Sequence, residues 1–209
     1  MGTGESDQRK NDLRAGERPA NTERDRRGEL IRAAMGVIAE KGVEGLRTRD
    51  ISARAGVNIS TLHYYFGTKE TLLLSVLRHV TESLASSMPS SKGRSAREEL
   101  RALFAGAFRS FRETPQLATV LQELRLRSRR DLSTRRAFRV VHGSWNRRVE
   151  EILTRGIANG ELRADLDPRA AAMVVTSFMM GVTMQLWVNP KACSFTVVSK
   201  EIEGWLIAK

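Results

Sequence analysis

The chain has 209 residues, of which 35 are basic and 24 acidic, and 41% are hydrophobic, for a formal charge of +11. That apolar fraction suffices for a core in one large or two smaller domains, and the chain is neither a short polar peptide nor a repeat array. The positive excess favours a polyanionic partner (DNA, RNA or a membrane surface) without choosing among them. Cys193 is the only cysteine, which excludes an internal disulfide and a cysteine metal cluster. The N-terminal stretch is polar and has no apolar run of the signal-peptide kind. The most apolar stretch, Ala170 to Val188, contains Gln185 and is borderline in length for a membrane span, so it is read as a buried helix. The expected location is cytoplasmic.

Residues 1–25 are charged, Gly-rich and nearly devoid of apolar side chains, and are expected to form a disordered tail. From Leu30 the spacing turns helical, with Leu30, Ile31, Ala34, Val37 and Ile38 on one broad face, until Gly42 and Gly45 stop it. A short second helix is predicted over Thr48–Ala55 and a third over Ile59–Phe66, with Gly56 between them and Asn58 at the cap position. A fourth covers Lys69 to about Met88. A turn at Pro89, Ser90, Ser91 and Gly93 follows. Five further helices are predicted: Ala96–Arg112, Pro115–Ser128, Leu132–Ala158, Pro168 to just before Pro190, and Phe195–Ala208. No segment alternates as a strand does. The fold class is all-α, with about nine helices: a disordered tail (1–25), a helix-turn-helix DNA-binding domain (26–70) and a larger helical regulatory and dimerisation domain (71–209).

The informative window is Leu46 to Leu73, in which two short helices meet at Ala55-Gly56-Val57. Glycine suits so tight a turn. Ile51, Ala55, Val57, Leu62 and Phe66 can form the small core that sets the crossing angle, leaving Thr61, Tyr64 and Tyr65 largely off it. A helix entering a major groove needs such a surface. Gly42-Val43-Glu44-Gly45-Leu46, Thr48-Arg49-Asp50-Ile51, Ala55-Gly56-Val57, Thr61-Leu62, Tyr65-Phe66 and Lys69-Glu70 before Leu72-Leu73 occur in one order. In this the chain resembles the DNA-binding domain of TetR-family regulators, over roughly residues 28–75. Beyond that it is similar in helix number and order, and in Gly160-Glu161-Leu162-Arg163 preceding Pro168.

The resemblance implies a role for each matching residue. Thr61 and Tyr64 match positions that contact bases or nearby backbone, with Ser60 beside them; Tyr65, Lys69 and Thr48 match positions close to phosphates. Arg49 matches a base-reaching position, and arginine can grip guanine bidentately. Two departures stand out. His63 replaces the usual tyrosine and has shorter reach. Arg47 replaces a capping Ser or Thr, so either Thr48 takes over the cap or Arg47 reaches a phosphate.

An enzyme is the rival class. The chain lacks a phosphate-binding glycine loop, an HExxH motif and a G-x-S-x-G elbow, and its histidines (His63, His79, His142) form no catalytic pattern. No cofactor and no metal site is expected. A helical interaction protein, or a constitutive DNA binder without a ligand, remains the alternative. The C-terminal body is implied to sense a small apolar or aromatic effector, with Phe104, Phe108, Leu121, Trp145, Phe178 and Gln185 as candidate lining; Gln185 equally suits an interface. His142, one turn from Trp145, suits a pocket wall or an ordinary packed position. Between Arg125 and Arg148 lie nine arginines and a single acid, Asp131. This is read as a solvated face, as electrostatic support near DNA, or as attraction for an acidic ligand. The apolar eighth helix and the ninth, with Phe195, Val198, Ile202, Trp205, Leu206 and Ile207, are expected to join a homodimer on a palindromic operator.

Overall fold

The computed structural model describes residues 18–86, 93–189, 191 and 194–207. The expected turn at Pro89, Ser90 and Ser91, Cys193, and the expected helix ends at Met88 and Ala208 lie outside these residues, as do residues 1–17 of the expected tail. Among the described residues the chain is all-helical: α1 Arg18–Lys41, α2 Thr48–Ala55, α3 Ile59–Phe66, α4 Lys69–Ser86, α5 Ala96–Glu113, α6 Pro115–Ser128, α7 Leu132–Ala158, α8 Pro168–Val188 and α9 Phe195–Leu206. They form two compact units, and the division falls between Val76 and Leu77, inside α4.

α1 begins at Arg18, within the segment expected to be disordered and well before Leu30. Its first turns have no apolar face for the sequence pattern to register. Propagation from an already packed helix adds a hydrogen bond per residue, and Arg, Glu and Ala oppose it little. Further along, Arg26 pairs with Glu29 one turn on, and Arg27 donates to Ser75 while its guanidinium lies 5.0 Å from the centre of the Phe66 ring. The apolar face from Leu30 to Ile38 is buried with Val43, Leu46, Ile51, Leu62, Phe66 and Leu73.

Two glycines are dictated by geometry. Gly56, at the end of α2, has φ +64°, a left-handed conformation that side chains disfavour. At Gly45 a Cβ would stand 2.3 Å from the Lys41 carbonyl oxygen, so the loop between α1 and α2 closes only without one.

In the second unit α7 packs against α8, α6 and α5, and α5 also contacts α6, α8 and α9. The core joins Leu100, Leu103 and Phe104 of α5 to Val149, Ile152 and Leu153 of α7, Ala172, Val175 and Met179 of α8, and Ile202 and Leu206 of α9. Local chemistry sets the helix starts. Ser95 and Glu98 form a reciprocal capping box on α5, and Asp131 and Asp167 accept from Thr134 N and Ala170 N at the starts of α7 and α8.

The apolar stretch read as a buried helix is α8, and it is buried on one face only: Ala171, Ala172, Val175, Met179 and Val182 are inside, whereas Met173, Val174, Met184, Trp187 and Val188 are exposed. By length and composition alone it could cross a membrane, as could a packed helix of a helical bundle. α9 differs from expectation in the same way. Ile202 and Leu206 go into the chain's own core and Phe195 stacks on Phe108, leaving Val197 and Trp205 as its exposed large apolar residues.

Candidate nucleic-acid interface and ligand cavity

In the first unit, two ion pairs bind α2 to α1. Lys41 Nζ lies 2.8 Å from Asp50 Oδ2 and Arg54 Nη1 lies 2.7 Å from Glu40 Oε1. The bond from Lys41 holds the Asp50 carboxyl below its ordinary range, and Arg49 and Arg47 add to the effect. α2 and α3 pack on each other through a core in which Ile51, Leu62 and Phe66 are buried, as predicted. Ala55 and Val57 are only half-buried.

The remaining side chains of α3 face outward. Ser60 and His63 are exposed, Thr61 and Tyr65 half-buried, and Tyr64 is 76% exposed with its ring edge-on to Tyr65 at 5.2 Å. Arg49 projects from α2 with its side chain 81% exposed, and Thr48 is exposed beside it. Thr48 does not take over the cap: Arg47 stands at the N-cap position without a side-chain capping bond, and its Nη1 donates to the Glu44 carbonyl at 2.8 Å. Asn58 occupies the cap position of α3 and its side chain also makes no capping bond. Lys69, half-buried, donates to the Val43 carbonyl at 2.9 Å. Sequence reasoning passed over Ile59, which is 45% exposed at the start of α3. Only the structure reveals that this apolar residue turns away from the core.

The second unit contains a cavity of about 370 Å³ between α4, α5, α6, α7 and α8. Two of the expected lining residues, Leu121 and Trp145, form its wall. Four do not: Phe104, Phe108, Phe178 and Gln185. α5 presents Ala107 and Phe111 to the cavity. Phe104 is buried with its ring 6.3 Å from Phe178 in the neighbouring core, and Phe108, one residue round from Ala107, stacks on Phe195 at 4.1 Å. On α8 the lining residues are Thr176, Met179, Met180 and Thr183, which places Gln185 on the exposed far side.

The wall also holds Arg125 and Phe138, which the sequence reading did not single out as lining, and His142, for which it left a pocket wall and an ordinary packed position open. For His142 the signal was its spacing from Trp145. For Arg125 it was submerged in the arginine run. That run is not one solvated face. Arg129, Arg130, Arg136, Arg139 and Arg147 are exposed, Arg148 pairs with buried Glu99, and Arg125 enters the cavity wall. Burial lowers the pKa of Arg125, and that of His142 is lowered by burial and then by the nearby Arg125 cation.

Two family models match the chain, one over each unit. Residues 30–76 match the family model for bacterial regulatory proteins of the tetR family, and residues 96–203 match that for the C-terminal part of BetI-type transcriptional repressors. The chain is 29% identical over 183 residues to the fatty acid metabolism regulator protein of Bacillus subtilis, covering 86% of this chain and 93% of that one. Its fold is similar to the structure of the Bacillus subtilis transcriptional regulator FadR in complex with stearoyl-CoA (TM-score 0.72, 25% identity, 86% of this chain and 97% of that). It is also similar to a transcriptional regulator from Saccharomonospora viridis in complex with choline (TM-score 0.76, 20% identity, 88% and 98%). The chain belongs to the TetR family and is a DNA-binding transcriptional regulator built on a helix-turn-helix.

Proposed function

We propose that the protein is a homodimeric repressor that leaves a palindromic operator when a small, largely apolar molecule enters the cavity of its second unit. The observation that carries this reading is α4. It starts at Lys69, next to the recognition helix α3, and its far end supplies Thr81, Leu84 and Ala85 to the cavity wall. A ligand pressing on that wall acts on the same helix that follows α3 in the chain.

Thr48, Arg49, Ser60, Thr61, His63, Tyr64 and Tyr65 form the DNA-facing set, with Arg47 and Lys69 at its margin. Arg49 is the candidate for direct base readout. Exposed Ile59 suits contact with a thymine methyl. The exposed apolar faces of α8 and α9, centred on Met173, Met184, Trp187 and Trp205, form the dimer contact; patches of this kind mark association surfaces. Two-fold symmetry then asks for half-sites about 34–36 Å apart, or a further turn, on one face of the duplex. That solved proteins of similar fold are in complex with small molecules, stearoyl-CoA in one and choline in the other, supports a small-molecule ligand here.

The experiment is a thermal-shift screen of small molecules followed by operator affinity at saturation with each hit. The expected result is a loss of about 5–150-fold in operator affinity, with operator weakening ligand binding by the same factor. Hits that stabilise the protein and leave operator affinity unchanged would break the coupling; operator binding without any hit points to a constitutive binder.

A further inference from the structure

The cavity is apolar over most of its wall, with Phe111, Leu121, Trp145 and Met179 among its residues, yet the cationic Arg125 is part of that wall. The Nη1 of Arg125 donates to Gln122 Oε1 at 3.3 Å, and its Nε is buried without a hydrogen-bond partner among the described residues. No carboxylate among the described residues pairs with it. The one acid in the wall, Glu82 on α4, is largely exposed and lies 3.9 Å from Arg78. His142, the other titratable group, faces the same space from α7.

An ionised group that is half-withdrawn from water and lacks a counter-ion is costly, and the cost falls when an anion arrives. The surrounding low-polarity wall strengthens that attraction relative to water. A guanidinium offers a planar fork matched to carboxylate or phosphate oxygens, and only its Nη1 donates, to Gln122, among the described residues.

We infer that the cavity takes an apolar molecule bearing one anionic group, a carboxylate or a phosphate, with the anion held by Arg125. The inference deepens the effector reading above and rests on it. It also sets this cavity apart from one suited to a quaternary ammonium, because the Arg125 guanidinium on α6 would repel a cation, while the one acid of the wall, Glu82, is largely exposed and already close to Arg78. The lowered pKa values of Arg125 and His142 are the electrostatic counterpart of that arrangement.

The test is calorimetric titration of the intact protein with four probes sharing a ten-carbon chain, kept below micelle-forming concentrations: decanoate, decyl phosphate, decanol and decyltrimethylammonium. At least one anion is expected to bind roughly tenfold or more tightly than decanol, as charge-assisted hydrogen bonding supplies, and the cation most weakly. The two anions distinguish carboxylate from phosphate. Arg125→Gln should bring the anions level with decanol while leaving decanol affinity intact, which shows that the cavity survives. If Arg125→Gln loses decanol binding as well, Arg125→Lys and the wild-type ranking decide. Equal binding of all four probes, preference for the cation, or an anion preference that persists in Arg125→Gln overturns the inference alone. Absence of binding by every probe overturns it together with the effector reading of the cavity.

Discussion

The ammonium of Lys69, in the first turn of α4, donates to the carbonyl oxygen of Val43 at 2.9 Å and so fastens the start of α4 to the loop between α1 and α2. Family resemblance places this lysine near phosphate, but the bond gives it an internal duty as well. Lys69→Ala should lower the stability of the DNA-free protein by about 1.5 kcal/mol, the lower end for a hydrogen bond to a charged group because the site is only partly buried. Urea denaturation checks this. If Lys69 also meets phosphate, the slope of log affinity against log salt should fall by about one unit; an unchanged slope would confine the residue to its internal bond.

Arg49 is the contrasting case. Its side chain is 81% exposed and makes a long 3.8 Å approach to Asp50. Arg49→Ala should leave stability within about 0.5 kcal/mol of wild type and cost about 1–3 kcal/mol of operator binding if the contact is bidentate to guanine. Selection of preferred sites from random DNA would show relaxed preference at one position per half-site. Unaltered preference would remove Arg49 from base readout.

Asp131 caps α7 by accepting from Thr134 N, with the hydroxyls of Thr134 and Ser133 on the same oxygen. The bonds from Thr134, hydroxyl first and then backbone, bring its pKa from 3.8 to about 2. A folded-state pKa below the unfolded one means that the ionised cap stabilises fully above about pH 4 and ceases to do so as the pH falls toward 2. Asp131→Ala should cost about 1 kcal/mol at neutral pH. Asp131→Asn keeps an acceptor but cannot ionise, so the stability gap between it and wild type should close on acidification from pH 5.

Glu99 is buried on α5 and forms ion pairs with Arg148 and Arg155 of α7. Glu99→Ala leaves two guanidinium groups without their shared anion. The expected loss is about 3 kcal/mol, at the low end for a broken buried pair because both arginines retain some solvent. Replacing all three with apolar residues of similar volume should recover most of it, as thermal unfolding would register.

Trp187 is 57% exposed near the end of α8, with Met184 and Val188 also exposed. If this face joins two copies, Trp187→Glu should yield a monomer at micromolar concentration in sedimentation, since a central aromatic of an interface typically contributes 2 kcal/mol or more. Operator affinity should drop with it, because one recognition helix cannot span two half-sites. A Trp187→Glu protein that still sediments as a dimer would move the interface elsewhere.

The helices were largely legible in the sequence because their ends are written in local chemistry. Thr48–Ala55 and Ile59–Phe66 are bounded by Gly56 and Gly67, Pro115 opens α6, and Asp131 and Asp167 cap α7 and α8. The early start of α1 was not legible, since helix that extends beyond its packed face carries no apolar period. The outward face of α3 could be read from an ordered motif. The cavity could not, because a wall assembled from five helices depends on the rotation of each about its axis. Phe104 and Ala107 lie within one turn of each other on α5, and only Ala107 borders the space. Arg125 was hidden for a different reason: among nine arginines, composition cannot tell the one turned inward from those turned out.

The division between the two units inside α4 has a practical side for anyone wishing to exchange DNA-reading heads among relatives. A cut after Val76 would sever a continuous helix and strand the carbonyls of Leu73 to Val76, which an intact helix supplies with donors from the residues four further on. The head is therefore not a cassette with a natural seam. A chimera should keep α4 whole from one parent and place its junction in the segment that joins α4 to α5.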